Sequence, residues 1–122
     1  MNPRRSFDVD PARDLVRITL TGFFSPDDVD RFVAARDAAH RQLRCAPNAH
    51  ATIVDMRAMQ IQAQETVAAF QQVLSDPRMV SRRLAFVVAR SLSRLQIKRA
   101  AAERAAEYFT SLEEAECWVL RQ

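Results

Sequence analysis

Alternating apolar and polar residues at the start of the chain predict a β-hairpin. Phe7-Asp8-Val9-Asp10 alternates once, and the segment from Leu15 to Thr21 repeats the pattern with its aliphatic residues on one face. A period of two is typical of half-buried strands. Pro11-Ala12-Arg13-Asp14 supplies residues that favour a turn between them.

Apolar residues at helical spacing predict four helices. The first begins at Ser25-Pro26-Asp27-Asp28, where Ser25 can cap the helix and the two acids complement its positive end. The second runs from about Gln62 to a stop at Asp76-Pro77. The third covers the Ala- and Arg-rich segment 91–106, and the fourth begins at the capping box Ser111-Leu112-Glu113-Glu114.

Three short apolar runs predict further strands between the helices, at Thr52–Asp55, Leu84–Val88 and Tyr108–Phe109. Residues 56–61 are predicted as a connector. The resulting order, ββαβαβαβα, indicates an α/β fold with about five strands, mainly parallel, and an antiparallel edge strand. The 122 residues suit one domain, 1–122, because they carry no repeat or linker.

Composition excludes several classes of protein. The chain has a single glycine, Gly22, whereas phosphate-binding and dinucleotide-binding loops need several. No apolar run approaches the roughly 20 residues of a membrane span, and the N-terminus lacks the apolar stretch of a signal peptide. Cys45 and Cys117 are too few for a disulfide framework. We therefore expect a cytoplasmic protein with reduced thiols.

The motifs in this order resemble the SpoIIAA-like fold of STAS and SEC14-type domains, over almost the whole chain. The hairpin strand Val16–Gly22 is similar to the opening of that family, and Ile53-Val54-Asp55-Met56-Arg57 is similar to its third strand. The ending from Tyr108 to Val119 resembles the close of small, largely uncharacterised bacterial SpoIIAA-like proteins. The resemblance implies an interaction or regulatory module.

Two departures limit what the resemblance implies. Anti-anti-sigma proteins of this family carry a phosphorylatable Asp-Ser-Ser-Gly at the start of the second helix, where this chain has Gln62-Ala63-Gln64-Glu65. The phosphoserine switch is therefore not expected here. Glu116 stands where relatives often hold an apolar residue.

Catalytic and metal-binding candidates are few, so we expect neither an enzyme nor a cofactor. His40, Cys45 and His50 are evenly spaced and offer zinc-ligand chemistry, but they lack a fourth ligand and the closer pairing usual at zinc sites. Cys45 with His50 as a nucleophilic pair would need a third, orienting group. The acidic clusters at helix starts are explained by capping alone.

The carboxyl edge of the predicted sheet is the best candidate site. Residues 57–104 carry nine basic and three acidic residues. Arg57 and Arg90 each follow a strand, and Arg90, Arg94 and Lys98 recur every four residues along the third helix. Arginine side chains beside helix N-termini bind phosphate or carboxylate. Asp55 at the end of its strand can pair with such a group, and Ser91 opens the third helix.

Apolar residues in the predicted connector favour a second use of the same edge. Met56, Met59 and Ile61 lie there, and methionine is common at adaptable contact surfaces. STAS-like domains use this region for partner contacts, so it resembles an interaction surface. Binding of a partner there predicts an exposed apolar patch around Met59.

We therefore expect a non-enzymatic interaction or regulatory module that binds a protein partner or itself, as a homodimer, through this edge. A binder of a small anion or lipid headgroup at the same edge is the alternative. An enzyme comes third. Nucleic-acid binding comes last, because the aromatic residues occupy apparent core positions and leave no stacking platform.

Overall fold

The computed structural model describes residues 2–89, 92–101 and 105–121, with side chains throughout except at 92–94. Within these residues the elements follow the predicted order. The strands are β1 (Arg4–Asp10), β2 (Leu15–Gly22), β3 (Ala51–Met59), β4 (Arg83–Val87) and β5 (Glu107–Phe109). The helices are α1 (Pro26–His40), α2 (Gln64–Leu74), α3 (Leu92–Ala100) and α4 (Leu112–Val119). No helix in this part of the chain is both long and apolar enough to cross a bilayer.

The strands form one sheet in the order β1-β2-β3-β4-β5. β1 runs antiparallel to β2, with Arg4 opposite Thr21 and Asp10 opposite Leu15, and all other neighbours are parallel. The predicted α/β architecture with an antiparallel edge strand is therefore confirmed. Parallel neighbours in chain order need crossovers of one hand, which place α1, α2 and α3 on the same face of the sheet.

Each face of the sheet has its own apolar core. Three helices cover the first face, and α4 alone covers the second, where it contacts β3, β4 and β5. The first core includes the buried residues Ile18, Leu20, Phe32, Val54, Phe86 and Ile97. The second core includes the buried residues Leu15, Ile53, Ala85, Val87, Ala115 and Val119. The alternation along β2 and β3 supplies both cores, since successive strand residues point to opposite faces.

β3 continues to Met59, so the prediction of a connector after Asp55 was wrong. The register between β2 and β3 pairs Thr19 with Asp55 but Thr21 with Ala58, which leaves one extra residue in β3. This bulge breaks the two-residue alternation that would have marked a strand in the sequence. Its structural consequence is that Met56 and Met59, three residues apart, are both buried.

Helix ends also differ from the prediction. The helical spacing of apolar residues from Val29 to Leu43 predicts a longer first helix, but α1 ends at His40. α2 begins at Gln64, two residues after the predicted start, with Ala63 at the N-cap and no side-chain cap. α3 ends at Ala100. The rest of its predicted length includes residues 102–104, which lie outside the described residues.

Helix α4 is held at both ends. The Ser111 hydroxyl accepts a hydrogen bond from the Glu114 backbone N–H, which is one of the two bonds of the predicted capping box. At the other end, the Arg82 guanidinium donates to the Val119 carbonyl and that of Arg83 donates to the Trp118 carbonyl. Cationic donors at the C-terminus of a helix satisfy its free carbonyls and its negative end.

Glu116 joins α4 to the β1–β2 hairpin, which explains a charged residue at this position. Its Oε1 accepts from Arg13 Nη1 at 2.9 Å and from Arg17 Nη2 at 2.7 Å. Arg13 also binds Asp10, at 2.7 Å. The hydrogen bond from Arg13 is the largest cause that lowers the pKa of Glu116 below its ordinary value, and the bond from Arg17 lowers it further.

We expect Glu116→Gln to lower the free energy of unfolding by no more than about 1 kcal/mol at neutral pH, because the ion pairs are partly exposed. A lowered folded-state pKa contributes stability above the unfolded pKa of about 4.3 and loses it as the pH falls further. The difference between the two proteins should therefore be constant above about pH 5 and disappear in more acidic solution. Urea denaturation across this range measures it.

Glu107→Gln is the matched control for this experiment. Glu107 is exposed at the start of β5, lies outside any helix, and makes no ion pair among the described residues. An equal loss of stability in both variants would contradict a specific role for Glu116.

Candidate functional site

An apolar cavity of about 70 Å³ lies between the first face of the sheet and helices α2 and α3. The sheet contributes aliphatic, aromatic and methionine side chains, and the helices contribute valine, phenylalanine, isoleucine and alanine. Its lining includes Leu20, Val54, Met56, Met59, Val67, Phe70, Val73, Phe86, Ile97 and Ala100. Its polar members are Gln60, Gln62 and Gln96, which follow β3 or lie in the first half of α3.

The side chain of Gln62 ties together the segments that leave the sheet at this end. Gln62 is only 7% exposed. Its Oε1 accepts from the Phe24 backbone N–H at 2.7 Å, and its Nε2 donates to the Gly22 carbonyl at 3.0 Å and to the Gln60 carbonyl. The exits of β2 and β3 are therefore bound to one amide group.

Helix α3 is attached to the same residue through Gln96. The Gln62 backbone N–H donates to Gln96 Oε1 at 2.7 Å, and Gln96 Nε2 donates to the Gln62 carbonyl at 2.7 Å. This reciprocal pair satisfies both backbone groups of Gln62, as a strand neighbour would. We call the Gln62–Gln96 set of hydrogen bonds the glutamine latch.

Gly22 is needed at the point where β2 enters this network. Its φ of +89° lies in the left-handed region, and a Cβ there would come within 2.5 Å of the Asn2 carbonyl oxygen. Its carbonyl accepts from the Gln60 N–H as well as from Gln62. The chain's single glycine therefore shapes the end of the cavity, because other residues adopt this backbone conformation only with strain.

Three exposed apolar side chains belong to residues next to the latch in the sequence. Phe23 is 42% exposed, Ile61 50% and Leu95 59%, and each is adjacent to a residue of the latch or to one bonded to it. We call Phe23, Ile61 and Leu95 the apolar rim. An apolar cavity together with exposed apolar side chains on adjacent residues is typical of a site for an apolar group.

Comparison with known proteins identifies the architecture. The chain matches no protein-family model and no curated protein. A solved structure with the same arrangement is that of an uncharacterised protein from the DUF3478 family, with a SpoIIAA-like fold, from Shewanella loihica PV-4. It superposes with a TM-score of 0.70 over 98% of this chain and 96% of that chain, at 10% sequence identity. The chain has a SpoIIAA-like fold.

The methionines predicted as surface residues are core residues of this SpoIIAA-like fold. Met56 is 6% exposed and Met59 is 7% exposed, and both line the cavity. The prediction that Met59 is exposed is therefore wrong, because the bulge in β3 turns the Met59 side chain inward. Ile61 is exposed, as expected. Phe23 and Leu95 are also exposed, and the sequence did not predict this.

Asp55 and Arg57 pair with each other. Arg57 Nε donates to Asp55 Oδ1 at 2.9 Å and Arg57 Nη2 donates to Oδ2 at 2.7 Å, which makes a bidentate ion pair. Hydrogen bonds from Arg57 hold the pKa of Asp55 below its ordinary value. An external anion would have to compete with this carboxylate for Arg57.

The other basic candidates at this edge are not placed. Arg90, Ser91 and the side chain of Arg94 lie outside the described residues. The described helix starts at this edge carry acids in their first turns: Asp27 and Asp28 in α1, Glu65 in α2, and Glu113 and Glu114 in α4. The described charges at the carboxyl edge therefore favour an apolar ligand over an anion.

His40, Cys45 and His50 meet at the opposite, amino edge. The two imidazole rings have centroids 4.6 Å apart, and all three residues line a second pocket. Burial and the carboxylate of Asp14 raise the pKa of the Cys45 thiol, which opposes a nucleophilic role. Within the described part of the chain, no group of three or more His, Cys, Asp or Glu is arranged to hold a metal ion.

The sequence analysis missed the glutamine latch. Gln62 and Gln96 are 34 residues apart, and a glutamine carries no spacing signal that would pair them. In the sequence, the segment Gln62–Glu65 indicates only the approximate start of a helix and the absence of a phosphorylatable serine. Gly22, a single glycine directly before two phenylalanines, was the one available signal for an unusual turn at this edge.

Gln62→Leu tests the latch. We expect a loss of about 2–3 kcal/mol in the free energy of unfolding, because the substitution leaves the buried N–H of Phe24 without a partner. Urea denaturation measures the loss. Gln60→Leu is the control at a neighbouring exposed glutamine, and we expect it to change stability by less than about 0.5 kcal/mol. Equal effects of the two substitutions would contradict the role assigned to Gln62.

Proposed function

We propose that the protein is a non-enzymatic binding module that takes the short alkyl part of an amphipathic small molecule into the cavity, with the polar end of that molecule at the carboxyl edge. The apolar cavity carries this proposal. None of its described lining residues titrates, so the site offers shape and apolar contact rather than proton transfer. A lipid is the natural class of such a ligand.

The size of the cavity sets the length of chain that it accepts. A water-sized group needs roughly 10–15 Å³ by the same measure, so 70 Å³ holds about five to seven such groups. A methylene is of similar size, and each one buried contributes about 0.8 kcal/mol. An alkyl chain of this length would thus gain about 4 kcal/mol, a factor of roughly a thousand in affinity.

The residues around the glutamine latch and the apolar rim support our placing of the ligand's polar end at the carboxyl edge of the sheet. Gln60 is exposed, and its side chain is free of hydrogen bonds within the described residues. An amide group there can donate to or accept from a hydroxyl, ester or carboxyl group. The rim residues Phe23, Ile61 and Leu95 would cover the methylenes that emerge from the cavity.

Binding of n-butanol, n-hexanol and n-octanol tests the proposal, with the methyl groups of methionine as NMR reporters. Met56 and Met59 line the cavity, whereas Met79 lies at the opposite edge. We expect saturable shifts at Met56 and Met59 only, with the dissociation constant falling about fourfold per added methylene until the cavity is full. Absence of any dependence on chain length would contradict the proposal.

Ala100→Leu gives a matched test by filling the cavity. Ala100 is 6% exposed and lines it, so the larger side chain would occupy the space of about three methylenes. We expect hexanol affinity to fall by more than about tenfold while thermal stability is unchanged or higher, because a void is filled. Ala68→Leu makes the same change at an exposed position of α2 and should leave affinity unchanged. Unchanged hexanol affinity in Ala100→Leu would contradict the assignment of the cavity.

A protein partner or a second copy of the chain is the second candidate, and the apolar rim favours it. Each of these three large apolar side chains exposes apolar surface to water, and a partner that covers such surface gains free energy. If a second copy covers them, the mass in sedimentation velocity should rise with concentration, and Ile61→Asp with Leu95→Asp should keep the protein monomeric. Val80→Asp, at an apolar side chain 37% exposed near the opposite edge, is the control. A constant monomer mass in the unsubstituted protein would exclude self-association.

A further inference from the structure

The amino edge of the sheet carries a second pocket, separate from the alkyl cavity. It has a volume of about 280 Å³, close to the low end of small-molecule sites at about 300 Å³. Its walls are the segment after α1 and the segment between α2 and β4. Its lining includes His40, Arg41, Cys45, Asn48, His50 and Arg78.

The pocket is built on backbone that is firmly held. Asn48 has a φ of +63°, and its side chain donates to the Arg78 carbonyl at 3.2 Å and accepts from the Val80 N–H at 3.1 Å. The Arg82 N–H donates to the His50 carbonyl at 2.7 Å. The two walls are therefore joined before any ligand arrives, which lowers the cost of ordering a site.

Both histidines line the pocket, and their rings contact each other. His50 is 4% exposed, and its Nε2 lies 3.4 Å from the Ser81 hydroxyl oxygen, which in turn lies 2.6 Å from that of Thr52. His40 is partly buried, with its ring centroid 4.6 Å from that of His50. Two imidazoles this close repel if both are charged, so a second proton requires nearby negative charge.

The charged groups around the pair leave a positive excess. Arg36 pairs with Asp37 and Arg78 pairs with Asp76, while Asp14 interacts with the Cys45 thiol. Arg41 lines the pocket, is exposed, and has no ion pair within the described residues. The charged and titratable groups on the segments around the pair are Asp14, Arg36, Asp37, Arg41, Arg44, Cys45, Asp76, Arg78 and Arg82. The Arg82 guanidinium donates to the Val119 carbonyl of α4.

The His40 imidazole is held toward its uncharged form by its surroundings. Burial, and then the charge of Arg36, lowers the pKa of His40, against a smaller opposing effect of Asp37. A dianion in the pocket would reverse this balance, since it stabilises a charged imidazole beside it. Arg41 would add a planar set of donors suited to tetrahedral oxyanions.

We propose that this pocket binds a dianionic phosphate group between Arg41 and the His40–His50 pair, and that binding adds a proton to the pair. The remaining volume would hold a small organic group attached to the phosphate. The site is independent of the alkyl cavity, so either proposal can fail while the other stands.

Sulfate is the first probe, because its charge does not change near neutrality. Titrations are followed at the Met79 methyl and at the ring protons of His40 at about pH 7.5 and about pH 6.0. We expect saturable shifts there and none at Met56 or Met59. The affinity should rise by up to about tenfold per pH unit on acidification, the value for uptake of one proton. Absence of a saturable shift, or equal affinity at both pH values, would overturn the proposal.

Surface variants separate the site from general attraction by positive charge. We expect Arg41→Gln to raise the dissociation constant of sulfate about tenfold, and His40→Gln to abolish its pH dependence. Arg99→Gln removes the same charge from an exposed position at the end of α3 and should have little effect. Equal losses in Arg41→Gln and Arg99→Gln would overturn a specific site. Both Arg41 and His40 are partly or fully exposed, so these variants should fold.

Inorganic phosphate and glycerol phosphate distinguish the two sources of the group. Tighter binding of glycerol phosphate would support a phosphomonoester as the ligand, because the pocket has room for its organic part. Tighter binding of inorganic phosphate would support the free ion. Binding of neither, with sulfate also unbound, overturns the proposal.

Discussion

The amide of Gln62 joins three segments that would otherwise leave the sheet independently. It bonds to the backbone of Gly22 at the end of β2, of Phe24 beyond it, and of Gln60 after β3. The backbone of Gln62 in turn bonds to the Gln96 side chain of α3. Buried backbone groups without partners are costly, so this arrangement holds only if all of these bonds form together. It keeps α3 at a set distance from the strands and leaves the cavity between them.

The unequal covering of the two faces explains where polar residues enter the structure. Three helices bury the first face, but α4 is short and packs mainly on β3, β4 and β5. Charged side chains therefore cover the outer part of the second face, at β1 and β2. Glu116, Arg13 and Arg17 bridge α4 to the hairpin there, and an apolar residue at 116 would have no such partner.

Helix dipoles divide the charges between the two edges of the sheet. All four helices begin at the carboxyl edge, where acids such as Asp28 and Glu113 complement their positive ends. Basic residues lie in the last turns of α1 and α3, where His40, Lys98 and Arg99 complement the negative helix ends.

The order of elements and the faces of β2 were determined by the sequence alone, because alternation, capping residues and turn residues act over a few neighbours. Pairings between distant residues were decided only in the folded chain. The bulge in β3 turned Met59 inward, Asp55 took up the charge of Arg57, and the fold brought His40 against His50. Such contacts depend on strand register and helix packing, which no local pattern specifies.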